Sequence, residues 1–310
     1  NAPSFGAAAE TAVAAMDRLG IRLTLVMPPP QAPGAPNIYD CGALGAALGR
    51  EAARFRLLGG GGRLNAMIQS TAPDQVTDRV KQRFRETAIE LAADCHIVGF
   101  GEVTAHHLSL APMGMQHPYE RVPPDHPLLL LLADIAAEMN LPIDLHLDLV
   151  PHDMPMPARP LFNASNPREL PANLPGFERL LAHNPKARII WAHAGSDPLQ
   201  TRTPELQRRL LARYPNLYMS LRPGRGGPMP ALMLDPRGRI KPDWLALLQA
   251  FPDRFVLGSD QFHAPAAGHG RVPAVTIDNF PNVIGQLPAP LARAIAYENA
   301  ERLYGIELKP

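Results

Sequence analysis

The feature that most constrains this chain is an alternation repeated along its length. A short apolar run rich in β-branched residues is followed by a polar or Pro/Gly-rich connection. An Ala/Leu-rich stretch with helical periodicity comes next. The apolar runs are Ile21–Val26, Arg54–Leu58, Ile97–Val103, Pro142–Leu147, Arg188–His193, Asn216–Leu221 and Arg254–Asp260. The helical stretches include Ala7–Leu19, Gln75–Ala92, Leu128–Met139, Phe177–Ala182, Glu205–Tyr214 and Asp243–Phe251. In the first of these, Val13, Met16 and Leu19 share one face, and Gly20 stands where a helix would end. Strands separated by helices imply βαβ units and a parallel sheet. Seven such strands in a chain that opens on a helix predict a (β/α)₈ TIM barrel whose first strand is missing from this sequence. Residues 1–310 form a single domain on this reading. A doubly wound open sheet is the competing architecture, but no Gly-x-Gly-x-x-Gly turn follows an early strand. The run Gly59 to Gly62 lacks the Lys-Ser/Thr ending of a phosphate-binding loop and reads as a flexible strand-end loop.

Acids and bases nearly cancel, leaving a net charge of +1, so nothing favours nucleic acid or an anionic membrane as a partner. The longest leucine-rich run, Leu128 to Ala133, is stopped by Asp134 well short of a membrane span. Cys41 and Cys95 form no Cys-x-x-Cys motif, and their wide separation reads as two buried free thiols. Proline clusters at Pro28-Pro29-Pro30, Pro123-Pro124 and between Pro151 and Pro160, as stiff loops between elements would require. The chain begins at Asn1 without Met, which implies that an upstream piece was removed. A signal peptide there would mean export, so cytoplasm and periplasm both stay open.

Several strands end in groups that bind metals or move protons, where a core strand should end in apolar or turn residues. Glu102, His146, His193 and Asp260 occupy these positions. Parallel barrel strands bring their C-terminal ends to one face, so the four side chains converge. Imidazole and carboxylate are the ligand types of a catalytic zinc or a similar divalent ion, whose open position takes a water of lowered pKa. Singly, a strand histidine is more often a hydrogen-bonded structural residue, and a terminal acid is as often a helix cap. Four at consecutive or near-consecutive strand ends are harder to dismiss.

At these residues the sequence resembles the amidohydrolase superfamily, in its amidohydrolase 2 branch of metal-dependent TIM-barrel hydrolases and decarboxylases. Gly99-Phe100-Gly101-Glu102-Val103 resembles the family's Gly-x-Gly-Glu strand. Leu145-His146 resembles the fifth-strand histidine, and Trp191-Ala192-His193-Ala194-Gly195 the sixth. Leu257-Gly258-Ser259-Asp260 resembles the eighth-strand Gly-Ser/Thr-Asp motif. The closing stretch Ala296 to Gly305 is similar to the family's Asn-Ala-x-Arg-Leu-Tyr ending. The family's first-strand His-x-His pair does not occur here, and its place falls just before Asn1. The chain as it stands is therefore expected to bind metal more weakly than one carrying the pair.

The resemblance implies that His146, His193, Asp260 and Glu102 surround a divalent ion, Zn²⁺ or Mn²⁺ by ligand type. Asp260 would take a proton from water, and His193 would be a ligand or a partner for the substrate carbonyl. Glu102 has helix capping as its alternative role. Arg222, after the seventh strand, suits a substrate carboxylate, and a surface Arg paired with a helix acid is the competing reading. Arg225, His106-His107, His152-Asp153 and Gln261-Phe262-His263 are loop positions for which a solvated role is favoured. The expected activity is hydrolysis of an ester, lactone or amide in a small, carboxylate-bearing substrate. Non-oxidative decarboxylation of an aromatic or unsaturated acid is the alternative on the same scaffold. A non-catalytic binding barrel follows if the His-x-His pair is truly absent. Homo-oligomerisation is left open.

Overall fold

The computed structural model describes residues 2–35, 39–114, 117–227, 229–263 and 276–307. Seven parallel strands are hydrogen-bonded in chain order: β1 (Thr24–Val26), β2 (Phe55–Gly60), β3 (Gly99–His107), β4 (Ile143–Leu147), β5 (Ile189–Ala194), β6 (Leu217–Leu221) and β7 (Phe255–Leu257). The sheet curls into the wall of a (β/α)₈ TIM barrel. No pairing joins β7 to β1 among the described residues, and the first strand's place lies between them.

The helices cover the outside of this wall. They are α1 (Ala2–Leu19), α2 (Cys41–Leu48), α3 (Arg63–Ser70), α4 (Asp78–Cys95), α5 (Pro127–Glu138), α6 (Leu174–His183), α7 (Pro204–Arg213) and α8 (Pro242–Ala250). Their starts follow from local chemistry. Thr77 and Thr203 cap α4 and α7 through Val80 N and Leu206 N, and Pro127, Pro204 and Pro242 open their helices where a missing N–H costs nothing.

Strand alternation sorts the core into two layers. Ile143, Leu145 and Leu147 of β4, Ile189 and Trp191 of β5, and Leu217, Met219 and Leu221 of β6 face the helices. There they meet Phe84, Leu132, Phe177, Leu210 and Trp244. Each fully buried side chain of this size contributes about 1.5–3 kcal/mol, so this outer layer is the main source of stability. Leu58, Ile190 and Val256 form a smaller cluster with Leu303, Tyr304 and Ile306 from the chain's end. The Asn-Ala-x-Arg-Leu-Tyr ending thus has a structural task. Asn299 Nδ2 donates to the Pro252 and Phe255 carbonyls at 2.8 Å each, and Arg302 donates to the Asp253 carbonyl at 2.7 Å. These bonds fasten the closing helix to the start of β7.

Two sequence expectations are corrected here. Cys41 and Cys95 are not free thiols: a disulfide joins them, with 6.0 Å between their Cα atoms. The barrel brings the start of α2 to the end of α4, a proximity that sequence separation does not reveal. The glycines from 59 to 62 are a buried, pinned turn: one Asp40 oxygen accepts from Gly60 N and the other from Arg63 N, both at 2.8 Å. A methyl group on Gly61 would lie 2.3 Å from the Pro28 carbonyl and 2.9 Å from that of Glu102, so only glycine fits. Among the described residues, no helix is long and apolar enough to cross a membrane.

Candidate metal centre

Alternation on β4 sends Ile143, Leu145 and Leu147 outward, so Asp144 and His146 project into the barrel. Strict alternation would send His193 outward beside Trp191. The register shifts between Trp191 and Ala194, and His193 takes a left-handed φ of 66°, which turns its ring inward. A second shift, between Phe100 and Val103 of β3, brackets Glu102. Asp260 also has a left-handed φ, 50°. Such conformations in residues other than glycine cost free energy and gather at functional sites.

Three of the sequence-predicted residues meet here. Glu102 Oε1 lies 2.9 Å from His146 Nδ1 and 3.1 Å from His193 Nε2, and the two ring nitrogens are 3.1 Å apart. One ligand atom from each residue falls within a 4.8 Å span. Asp260 stands at the edge of this group, its Oδ2 3.8 Å from His193 Nδ1 and 3.3 Å from Arg222 Nε. Arg222 Nη1 also donates to Ser196 Oγ at 3.2 Å. Arg222 is therefore paired with a residue of the site rather than with a helix acid.

Burial opposes every charge in this group, and the partners overcome it. Burial alone would raise the Glu102 carboxyl, but hydrogen bonds from His146 and His193 hold it well below the usual carboxylate range. Burial would likewise discharge His146, yet Asp148 and Glu102 raise it to about 10. Asp148 is correspondingly lowered: burial works against the shift, and His146 outweighs it.

The amidohydrolase family model matches residues 72–306. The chain belongs to the amidohydrolase family, in its amidohydrolase 2 branch. Among solved structures, a uronate isomerase from Bacillus halodurans C-125 aligns at 13% identity with a TM-score of 0.54, covering 96% of this chain and 69% of that one. An amidohydrolase 2 protein from Bifidobacterium longum subsp. infantis aligns at 15% identity and a TM-score of 0.36, covering 73% and 76% of the two chains. An amidohydrolase from Mycobacterium avium subsp. paratuberculosis K-10 aligns at 12% identity and 0.44, covering 95% and 73%. At these identities the likeness concerns the fold alone. No curated protein matches the sequence.

Within this amidohydrolase, the other expected positions divide. His106 and His107 are not in a loop, because β3 runs on through them. His106 Nδ1 donates to the Asp148 carbonyl at 2.6 Å, and the His107 ring lies edge-on to His146 with centroids 4.5 Å apart. Glu102 accordingly sits within a strand and caps no helix. Arg225, His152 and Asp153 are exposed; Arg225 donates to the Pro236 carbonyl and Asp153 accepts from Ala172 N. Phe262 is exposed, whereas Gln261 and His263 are partly buried next to Asp260.

Sequence reasoning missed Asp144 and Asp148. Asp148 Oδ2 lies 3.4 Å from His146 Nε2 and accepts from Leu108 N at 2.8 Å, so it orients the ring. The period-two series Asp144, His146, Asp148 carried that signal.

Proposed function

We propose that this amidohydrolase is a metal-dependent hydrolase acting on an ester, lactone or amide bond of a small, carboxylate-bearing substrate. The observation that carries the reading is the convergence of Glu102 Oε1, His146 Nδ1 and His193 Nε2. The donor set fits a divalent ion. Two imidazoles and a carboxylate are borderline ligands suited to Zn²⁺ or Mn²⁺. Their separations of 2.9 to 3.1 Å approach the ~3.3 Å between ligand atoms expected around a tetrahedral ion with ~2.0 Å bonds. Glu102, His146 and His193 would hold the ion, with Asp260 completing the set. When bound, such an ion polarises a carbonyl and lowers the pKa of a water toward neutrality.

The protein's own groups supply the rest. Asp260, oriented by Arg222 and facing His193 Nδ1, accepts the proton that the attacking water gives up. Asp148 fixes the His146 ring through Nε2, leaving Nδ1 for the centre. Arg222 has five N–H donors, pairs with Asp260 by charge and donates from Nη1 to Ser196, so its fork can also take a substrate carboxylate.

The test is product analysis with metal-supplemented protein on a panel of aliphatic and aromatic esters, lactones and amides bearing a carboxylate. Stoichiometric acid plus alcohol or amine, abolished by chelation, is the expected result. Release of CO₂ from the carboxylate, with the ester or amide bond intact, would contradict the hydrolase assignment.

A further inference from the structure

Between β4 and α6 the chain makes a closed excursion. Met154–Pro155 pairs antiparallel with Glu169–Leu170, and Met156 N donates to the Arg168 carbonyl at 2.8 Å, so residues 156–168 form an Ω-shaped loop with adjoining ends. Because the loop follows the C-terminal end of a strand, it stands on the rim that carries the metal centre. Its far side is pinned. Phe162 bridges to Leu110, and Asn163 Nδ2 donates to Ser109 Oγ at 2.8 Å and to the Gly114 carbonyl at 3.1 Å. Asn166 Oδ1 accepts from Ser109 N and its Nδ2 donates to the Ser109 carbonyl, both at 2.8 Å. Pro157, Pro160 and Pro167 stiffen the loop further.

Loops of this kind are ordinarily filled by their own side chains. This one instead wraps a cleft of about 390 Å³, within the range of small-molecule sites, and every residue that lines the cleft belongs to the loop. Met156 and Phe162 give it apolar walls, seated on a small cluster of Leu108, Val150, Leu170 and Leu199. Arg159 and Arg168 bring two positive charges, and no acid lines the cleft. Arg159 Nη1 donates to the Pro198 carbonyl at 3.3 Å, and neither guanidinium has a carboxylate partner among the described residues. Like charges gathered in one cleft without a counter-charge attract an anion to it.

We propose that this cleft is a binding site for a small organic anion, a carboxylate carried on an apolar body, distinct from the donor cluster of Glu102, His146 and His193. Arg159 and Arg168 hold the carboxylate by charge-assisted hydrogen bonds, for which the planar guanidinium fork is suited. Met156 and Phe162 cover the apolar body. A bare inorganic anion would leave those walls unused, and an uncharged molecule would leave both charges unanswered. The bonds to Ser109 and Gly114 fix the frame beforehand, so little order has to be gained on binding. None of these residues belongs to the metal centre, and the inference stands apart from the hydrolase reading.

Titration calorimetry with 2-naphthoate on the metal-free parent and on Arg222→Gln, which lacks the other candidate carboxylate clamp, tests this. Arg222→Gln should still bind about one naphthoate per chain, since the cleft offers one pair of guanidiniums. In that background Arg159→Gln and Arg168→Gln should each weaken binding about tenfold, the loss of one charge-assisted contact. Both arginines are exposed, so unchanged circular dichroism is expected of these variants. 2-Naphthalenemethanol, the same body without the charge, and inorganic phosphate, a charge without the body, should each bind at least about tenfold more weakly than naphthoate. Absence of saturable naphthoate binding in Arg222→Gln overturns the proposal, and so does binding that survives both arginine substitutions together. Equal affinity for the alcohol overturns the role of charge, and equal affinity for phosphate overturns the assignment to an organic anion.

Discussion

Asp260 and Arg222 hold one another at the edge of the donor cluster, Nε to Oδ2 at 3.3 Å, so a change in either is felt by both. Asp260→Asn keeps the shape and removes the base. It should lower kcat by about 10²- to 10⁴-fold on metal-loaded protein. A rate close to the parent's would show that the proton goes elsewhere. Arg222→Lys keeps the charge but loses the planar fork, and should raise KM for a carboxylate-bearing substrate more than it lowers kcat. The reverse pattern would take Arg222 out of substrate binding. His107 makes a separate prediction, about pH and stability. Burial first, and then the neighbouring His146 charge, lower it from 6.5 to about 3. Between those values the unfolded chain binds the proton and the folded chain does not, so stability is full above 6.5 and falls as pH drops toward 3. Thermal melts across this range should show Tm falling with acid, less steeply in His107→Gln. Identical slopes would show that His107 is not the group responsible.

The strands and long helices were legible because their periods persist. β1 to β7 each overlap one of the predicted apolar runs, and α4 to α8 match the predicted stretches within a few residues. The two eight-residue helices were not legible. Cys41–Leu48 is interrupted by Gly42 and Gly45, and Arg63–Ser70 is too short to establish a period against its polar composition. Convergence of Glu102, His146 and His193 was legible because parallel strands carry their ends to one face. The inward turn of His193 was not, since it depends on a register shift and a left-handed φ set by tertiary packing. The same packing brings together Cys41 and Cys95, 54 residues apart. Closing a loop of that length is worth about 4 kcal/mol on the chain-entropy model. Melts with and without reductant should therefore differ by several degrees, and Cys41→Ser should melt like the reduced protein. Equal melting in all three would mean that the bond does not constrain the native chain. The glycine turn offers a finer test of how elements seat the site. Gly61→Ala should weaken metal binding while leaving the helix content unchanged, because the added methyl presses on the Glu102 carbonyl. Undiminished affinity would show that the turn does not position Glu102.

The barrel as a whole explains why residues as distant as Glu102 and Asp260 share one site. Seven strands pair in chain order, and each delivers its C-terminal end to the same rim. The disulfide, the Asp40 contacts and the Asn299 clamp lie outside the donor set and hold the elements that carry it. The same separation of tasks appears in the core, where apolar residues fill the outer layer and Glu102, Asp144 and His146 stand on the inner face of the strands. The central claim is that Glu102, His146 and His193 together hold a divalent ion, and elemental analysis after equilibrium dialysis against Zn²⁺ tests it most directly. At saturating Zn²⁺ about one ion per chain is predicted for the parent, held more weakly than by a chain that carries the His-x-His pair. Glu102→Gln, His146→Ala and His193→Ala should each lose most of it while still folding. A parent that retains no ion, or three variants that retain it as well as the parent does, would contradict the claim.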